Sequence, residues 1–407
     1  MRMKLPVVAL AALLPVVALA APPPTPRRIA VLLVPMDKGA EAWSVKVEAY
    51  MNEALKEYSG LTVKTSDDLF GIPSDDEAEA SLKRAETGFN ESKAAFEKRE
   101  YEDAERKLRA TIKEFTKAAA AMKNCGHMCD ALAMYAAALQ ARGDIEEAKI
   151  ATLDLIALNP TFELDRKKYP QDYIALRAQV ATSRNAQLRG NIVVKTRPAG
   201  ARIYLDGELQ GQHTPNTLQT LAIGKHLLRI ERPGFKKYGA FVEVTPEDTE
   251  VATDLSPTPG YKAYDGLLDK LAGEAKNDKG GSTMSSIGKT LDLDRGVVVV
   301  LKEVNDSGGL EMSTALFDLR SGKRLAAKRS NFQGDEYGQL KSEVGRTVNL
   351  VMSQAEGGTE KKSSSSDPLE NRHGMDEWGD SDRGGSRASK SSKGGDPLNS
   401  KSGMEDW

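Results

Sequence analysis

The residues with the widest chemical reach in this chain of 407 are two cysteines, four histidines and one Gly-Lys-Thr triplet. Cys125 and Cys129 stand in "KNCGHMCDAL", with His127 between them. Two thiolates and one imidazole are too few ligands for a closed zinc site, which takes four. In an oxidising compartment a local disulfide is the expectation, with free thiols or a metal or redox site using His127 as the alternatives. Such a bridge closes a tiny loop and stiffens one connection without stapling a fold. The triplet Gly288-Lys289-Thr290 ends "TMSSIGKT". A phosphate-cradling loop needs glycine where Thr283 stands, a strand before it and a helix after it, and this stretch instead follows a helix. The histidines, His127, His213, His226 and His373, have no acid or nucleophile paired with them in the sequence. Neither a nucleophile elbow, nor a histidine pair on one helix, nor a supported carboxylate pair occurs, so the chain reads as non-enzymatic, with no cofactor and no metal.

The elements around these residues say where the protein works. Arg2 and Lys4 precede an apolar run from Leu5 to Leu19 that ends in Ala18-Leu19-Ala20, the layout of a cleaved secretory signal over residues 1–20. The run is short of the roughly 20 apolar residues a spanning helix needs, and no later segment approaches that length, so no integral membrane segment is expected after cleavage. No cysteine follows the cleavage site for a lipid anchor. The expected location is a bacterial periplasm, the outer envelope or the exterior, where nucleotide is not dependably supplied. With 57 basic against 59 acidic residues the chain lacks the basic face that nucleic acid requires.

The length suggests two to four units, and the pattern is that of an α+β multidomain protein. In residues 21–72, "RIAVLLVPMD" from Arg28 reads as a buried strand, "EAWSVKVEAYMNEALKEY" as a helix with Val45, Val47, Met51 and Leu55 inward, and "LTVKT" as a second strand. Strands joined this way are parallel if they share a sheet. Residues 75–188 are rich in Ala, Glu, Lys and Leu with helical periodicity. Within them, "CDALAMYAAALQARGDIEEAKIATLDLIALNP" sets Ala136, Gly143, Ala148 and Pro160 at the small, turn, small and terminal positions of a 34-residue helical hairpin. This resembles a tetratricopeptide repeat. The preceding "FNESKAAFEKREYEDAERKLRATIKEF" repeats the logic with Ala104 matching Ala148, 44 residues away. Helical repeats of this kind bind partner peptides on a concave face or serve as a spacer.

Between 190 and 256, alternation in "NIVVKT", "ARIYLDG" and "KHLLRIER" with reversals at Asp206-Gly207 and Pro233-Gly234 predicts short antiparallel strands. Pro198-Ala199-Gly200-Ala201, Ile203-Tyr204-Leu205-Asp206-Gly207, Thr214-Pro215 and Arg232-Pro233-Gly234-Phe235 resemble the PEGA domain, a small β-sandwich. Ala199 stands where that family has its glutamate. The resemblance implies binding or tethering in an exported bacterial protein, with Pro198, Gly200, Asp206, Gly207, Pro233, Gly234 and Phe235 in structural roles. Residues 259–355 predict helices, then strands at Gly296 to Lys302 and Leu310 to Asp318 with a hairpin return, then a closing helix with Leu340, Val344, Val348 and Val351 inward. "LDLDRGVVVVL" and "ALFDLRSGKRL" resemble the latter half of the α/β domain at the amino end of TolB-like envelope proteins. Residues 28–72 look like its first half. The two ends either form one sheet around the inserted repeats and sandwich, or stand as two independent units.

From 356 to 407 apolar residues nearly vanish and a disordered tail is expected. It holds "DPLENRHGMDEW" and "DPLNSKSGMEDW", 29 residues apart, with Leu369, Met375 and Trp378 matched by Leu398, Met404 and Trp407. Trp and Met favour interfaces, and two linked copies bring avidity, so these six residues are candidate docking anchors for other envelope proteins. The alternative is a passive duplicated tail. The function expected is a non-catalytic envelope adaptor or scaffold in a secretion, motility or wall-associated assembly. The runner-up is a binder of peptidoglycan or another polysaccharide through the sandwich.

Overall fold

The computed structural model describes residues 26–275, 281–305, 309–333 and 338–356. The leader at 1–20, His373 and the six tail anchors lie outside the described residues.

The apolar run at the start forms β1 (Arg27–Pro35), followed by α1 (Lys38–Lys56), β2 (Leu61–Lys64) and the short α2 (Ser66–Phe70). Helices α3 (Asp76–Glu97), α4 (Tyr101–Lys117), α5 (Gly126–Arg142), α6 (Ile145–Leu158), α7 (Gln171–Ala181) and α8 (Arg184–Gln187) come next. Seven strands follow: β3 (Arg189–Arg197), β4 (Arg202–Leu205), β5 (Glu208–His213), β6 (Asn216–Ala222), β7 (Gly224–Glu231), β8 (Tyr238–Val244) and β9 (Thr249–Asp254). The last part holds α9 (Pro259–Asp265), α10 (Leu268–Ala275), α11 (Ser282–Thr290), β10 (Arg295–Asn305), β11 (Gly309–Asp318), β12 (Lys323–Gln333) and α12 (Gln339–Glu356).

Strand β1 is apolar on both faces because it is central, as buried parallel strands are. The sheet runs β12-β11-β10-β1-β2, with β1 parallel to both neighbours and Val31 opposite Val297. Both ends of the described chain therefore share one sheet. Alternation then sorts the side chains: Ile29 and Val31 pack with Val47, Met51 and Val348 under α1 and α12, whereas Ala30, Leu32 and Val34 pack with Leu271, Met284 and Ile287 under α10 and α11. The two halves are clamped at Asp294. Arg28 donates to its Oδ2 from the amide at 2.9 Å and from Nε at 3.2 Å, and Arg320 Nη2 donates to Oδ1 at 2.6 Å. The Arg28 guanidinium, then its amide and Arg320, hold this carboxyl well below the carboxylate range, against the opposing push of burial.

In the inserted helices, α3 pairs with α4 and α5 with α6. Ala104, Ala136 and Ala148 are fully buried where helices cross, and Gly143 ends α5 with φ of 90°. Cys125 and Cys129 are disulfide-bonded across the first turn of α5, with Cα atoms 5.4 Å apart.

The sandwich stacks a sheet β6-β3-β9 on a sheet β5-β4-β7-β8. Its core holds Ile192, Val194, Ile203, Leu205, Leu228 and Ile230. One expectation fails here, since β3 pairs with β9 in parallel rather than antiparallel. These are the first and last strands of the module, and the five strands between them supply the long crossover that a parallel pair requires.

Candidate functional site

The sandwich is wedged between its neighbours. Toward the helices, Leu227 joins the helical core, Lys225 Nζ reaches Asp154 at 2.7 Å, and Arg229 Nη1 donates to the Met122 carbonyl at 2.7 Å. A Cβ on Gly239 would lie 2.2 Å from the Ala120 amide nitrogen, so only glycine lets β8 approach the turn after α4 this closely. The Asp206-Gly207 turn sits at this end. Asp206 is left-handed at φ of 51°, its Oδ1 accepts from the Leu227 amide at 2.8 Å, and its Oδ2 lies 2.6 Å from His226 Nδ1. The other ring nitrogen, Nε2, is 2.9 Å from the Ala222 carbonyl oxygen. A carbonyl and a carboxylate both accept, so this geometry favours the doubly protonated ring. Burial alone would push this imidazole down, but the hydrogen bond and charge of Asp206, with Ala222 and Asp154, outweigh it and the net direction is up.

At the opposite end the sandwich meets the α/β layer. Arg202 is bidentate to Asp67 at 2.5 and 3.2 Å, Arg232 bonds the Ala199 carbonyl and approaches Glu41 at 3.4 Å, and the Gly234 amide donates to the Gly71 carbonyl at 2.7 Å. A cavity of about 510 Å³ lies in this seam, within the range of small-molecule sites. Pro198, Gly200, Pro233 and Phe235 of the sandwich form one wall. Gly234 packs directly on Tyr261 beside it. The second wall is aromatic: Phe70 lies 5.3 Å from Tyr261 and 5.0 Å from Tyr264, and Phe235 lies 4.6 Å from Tyr261. The third is α1, which turns Glu41, Val45, Glu48 and Asn52 inward at helical spacing.

Electrostatics distinguish these walls. Burial pushes the Tyr261 and Tyr264 phenols up, and neighbouring Tyr261 and the Glu48 charge add to this at Tyr264, so both stay protonated. Burial and the adjacent Arg202 push the His213 imidazole down, leaving it neutral near pH 7. Glu48 accepts from Ser66 Oγ at 2.6 Å through Oε1. Asn52 is only 7% exposed, and its Oδ1 has no hydrogen-bond partner.

A second cavity of about 740 Å³ opens among the helices, where Phe89, Phe96 and Met134 meet Lys93, Arg99 and Lys168. His127 lies here, stacked on Phe89 at 4.6 Å and paired with Glu86 at 2.6 Å. The disulfide-bonded cysteines are therefore beside this cavity and not the first. Among the described residues no group of three or more His, Cys, Asp or Glu could hold a metal, and no helix is long and apolar enough to cross a membrane.

The sequence found the sandwich wall of the seam but gave its residues only shaping roles. It missed the acids of two histidines: His226 has Asp206 and His127 has Glu86. The first pair was within reach, because the β4–β7 register sets Leu205 opposite Leu228 and so brings their flanking residues together. It also missed Glu48 and Asn52, which read as the solvated face of a helix, and Tyr261 and Tyr264, which read as core. "TMSSIGKT", which follows a helix as expected, forms the helix α11 itself, with Thr283 and Gly288 buried.

No curated protein matches the chain. Residues 189–259 of the 407-residue chain match the PEGA domain family, so the sandwich wedged between helices and α/β layer is similar to that module.

Proposed function

We propose that this chain is a non-catalytic adaptor of the bacterial cell envelope, exported by its leader, with a rigid three-part body and a tail that docks partners. In this reading the helical hairpins are tetratricopeptide-like, the shared sheet is similar to the amino-terminal domain of TolB-like proteins, and the PEGA-like sandwich is the connector. The supporting observation is the wedge: the sandwich commits one end to Asp154 and Met122 and the other to Asp67, Glu41 and Gly71. A module bonded this way on two sides holds other surfaces in fixed relation. Leu369, Met375 and Trp378, with Leu398, Met404 and Trp407, are then the docking anchors. Pull-down from envelope extracts with the full chain and with a chain ending at Gly358 tests this. Partners that vanish with the tail support it, and identical partner profiles refute the docking role.

A second reading, peptidoglycan or polysaccharide binding, has its own observation. Strands β5 and β6 carry Gln212, Asn216, Thr217 and Gln219 around a shallow recess of about 500 Å³ on the sandwich, and neutral amides and hydroxyls match sugar hydroxyls. Cosedimentation of the full chain with purified wall material tests it, and recovery no greater than that of a control protein removes it.

A further inference from the structure

The seam between sandwich and α/β layer has more recognition chemistry than a structural joint needs. Four carboxylates line it, Glu41, Glu48, Asp67 and Asp265, against three cations, Arg202, Arg232 and Lys262. Two of the cations are consumed locally, Arg202 by Asp67 and Arg232 by Glu41. Glu48 is left with a hydroxyl and an amide from Ser66 as its hydrogen-bond donors, and no ion pair to it forms among the described residues. One helical turn further along α1, on the same face, Asn52 also lines this cavity, and its buried Oδ1 has no hydrogen-bond partner. A buried acceptor without a donor is costly, which marks a place for one. The rings of Phe70, Tyr261 and Tyr264 line the same cavity, and aromatic ring faces attract cations.

We infer that this cavity binds an alkyl ammonium group, with Glu48 and Asn52 accepting from the nitrogen and the Phe70, Tyr261 and Tyr264 rings covering the hydrocarbon stem. A chain amine and the side chain of a lysine in a peptide share this chemistry. None of the residues that line this cavity lies in the tail. A neutral sugar fits it less well, since it leaves the Glu48 charge uncompensated.

Isothermal titration of the full chain tests this with four probes. Nα-acetyl-lysine methylamide represents the peptidic source and cadaverine the free amine. Nα-acetyl-norleucine methylamide is the uncharged counterpart, and tri-N-acetylchitotriose is the sugar. Saturable binding of either charged probe, at least tenfold tighter than the norleucine counterpart, is expected, and the tighter of the two names the source. Glu48→Gln, which keeps an acceptor for Ser66, weakens the charged probe at least tenfold, while Asn52→Asp tightens it. Equal binding of the norleucine probe, binding of the sugar alone, or no saturable heat from either amine overturns the inference. The wild-type comparison needs no variant, so a folding defect in one does not mask the answer.

Discussion

Replacing Asp206 by Asn isolates one charge at the sandwich end that faces the helices. Asn tolerates the left-handed backbone at this position and keeps an oxygen for the Leu227 amide. What changes is the group facing His226 Nδ1: an amide donor now meets a ring N–H donor, and the imidazolium is left buried at 4% exposure without its anion. Hydrogen bonds to charged groups contribute about 1.5–3 kcal/mol, so the variant loses roughly that much at pH 5.5. At roughly 2 °C per kcal/mol for a body of this size, the melting midpoint falls by about 3–6 °C. The pH dependence follows from the upward direction of the His226 shift. A histidine raised in the folded state contributes stability that is fully present below its ordinary value of 6.5 and is lost as pH rises through the folded value. Neutral His226 accepts at Nδ1 from the new amide while Nε2–H still serves Ala222, so the gap between the two proteins closes at high pH. Thermal unfolding at pH 5.5 and 9.5, with a nuclear magnetic resonance titration of the His226 ring, measures both effects. A gap of equal size at the two pH values, or a ring that titrates at or below 6.5 in the wild type, refutes the reasoning.

Two further outcomes follow from the joints. Gly239→Ala forces a methyl into the Ala119–Ala120 backbone and lowers stability by about 1–3 kcal/mol in urea unfolding, while Gly211→Ala, which meets nothing within 4 Å, stays within about 0.5 kcal/mol of wild type. Asp294, held below its ordinary value of 3.8, contributes stability that is present above that value and drains away as pH falls through the depressed one. Asp294→Asn therefore shows a shallower loss of stability between pH 4 and pH 2 than the wild type does, followed by circular dichroism.

The elements were legible because their signals are local. Alternation in β4, the Gly143 stop after α5 and the spacing of Leu340, Val344 and Val348 in α12 each depend on residues within a turn or two of each other. The parallel β3–β9 pair and the Asp294 clamp depend on register between segments far apart in sequence, to which periodicity is blind. The cavity was harder still. Glu48 and Asn52 look like the solvated face of an amphipathic helix until the sandwich is set over them, and Tyr261 and Tyr264 pass for ordinary core. Pro198, Gly200, Pro233 and Phe235 were marked beforehand through their motif and not through any visible chemistry, Val45 as a core position and His213 only as an unpaired histidine.

The position of β1 has a temporal consequence. It emerges first from the ribosome, yet one of its two neighbours in the sheet lies 266 residues later, as the Arg28–Asp294 clamp records. At about 5–20 residues per second, synthesis leaves this apolar strand without β10 for roughly 13–53 s. Helices α3 to α7, built from contacts close in sequence, have that interval in which to fold ahead of it. The sheet thus closes last, so a chain cut short before Arg295 presents a bare apolar edge, and completeness of synthesis becomes something that proteases and chaperones can read from the surface.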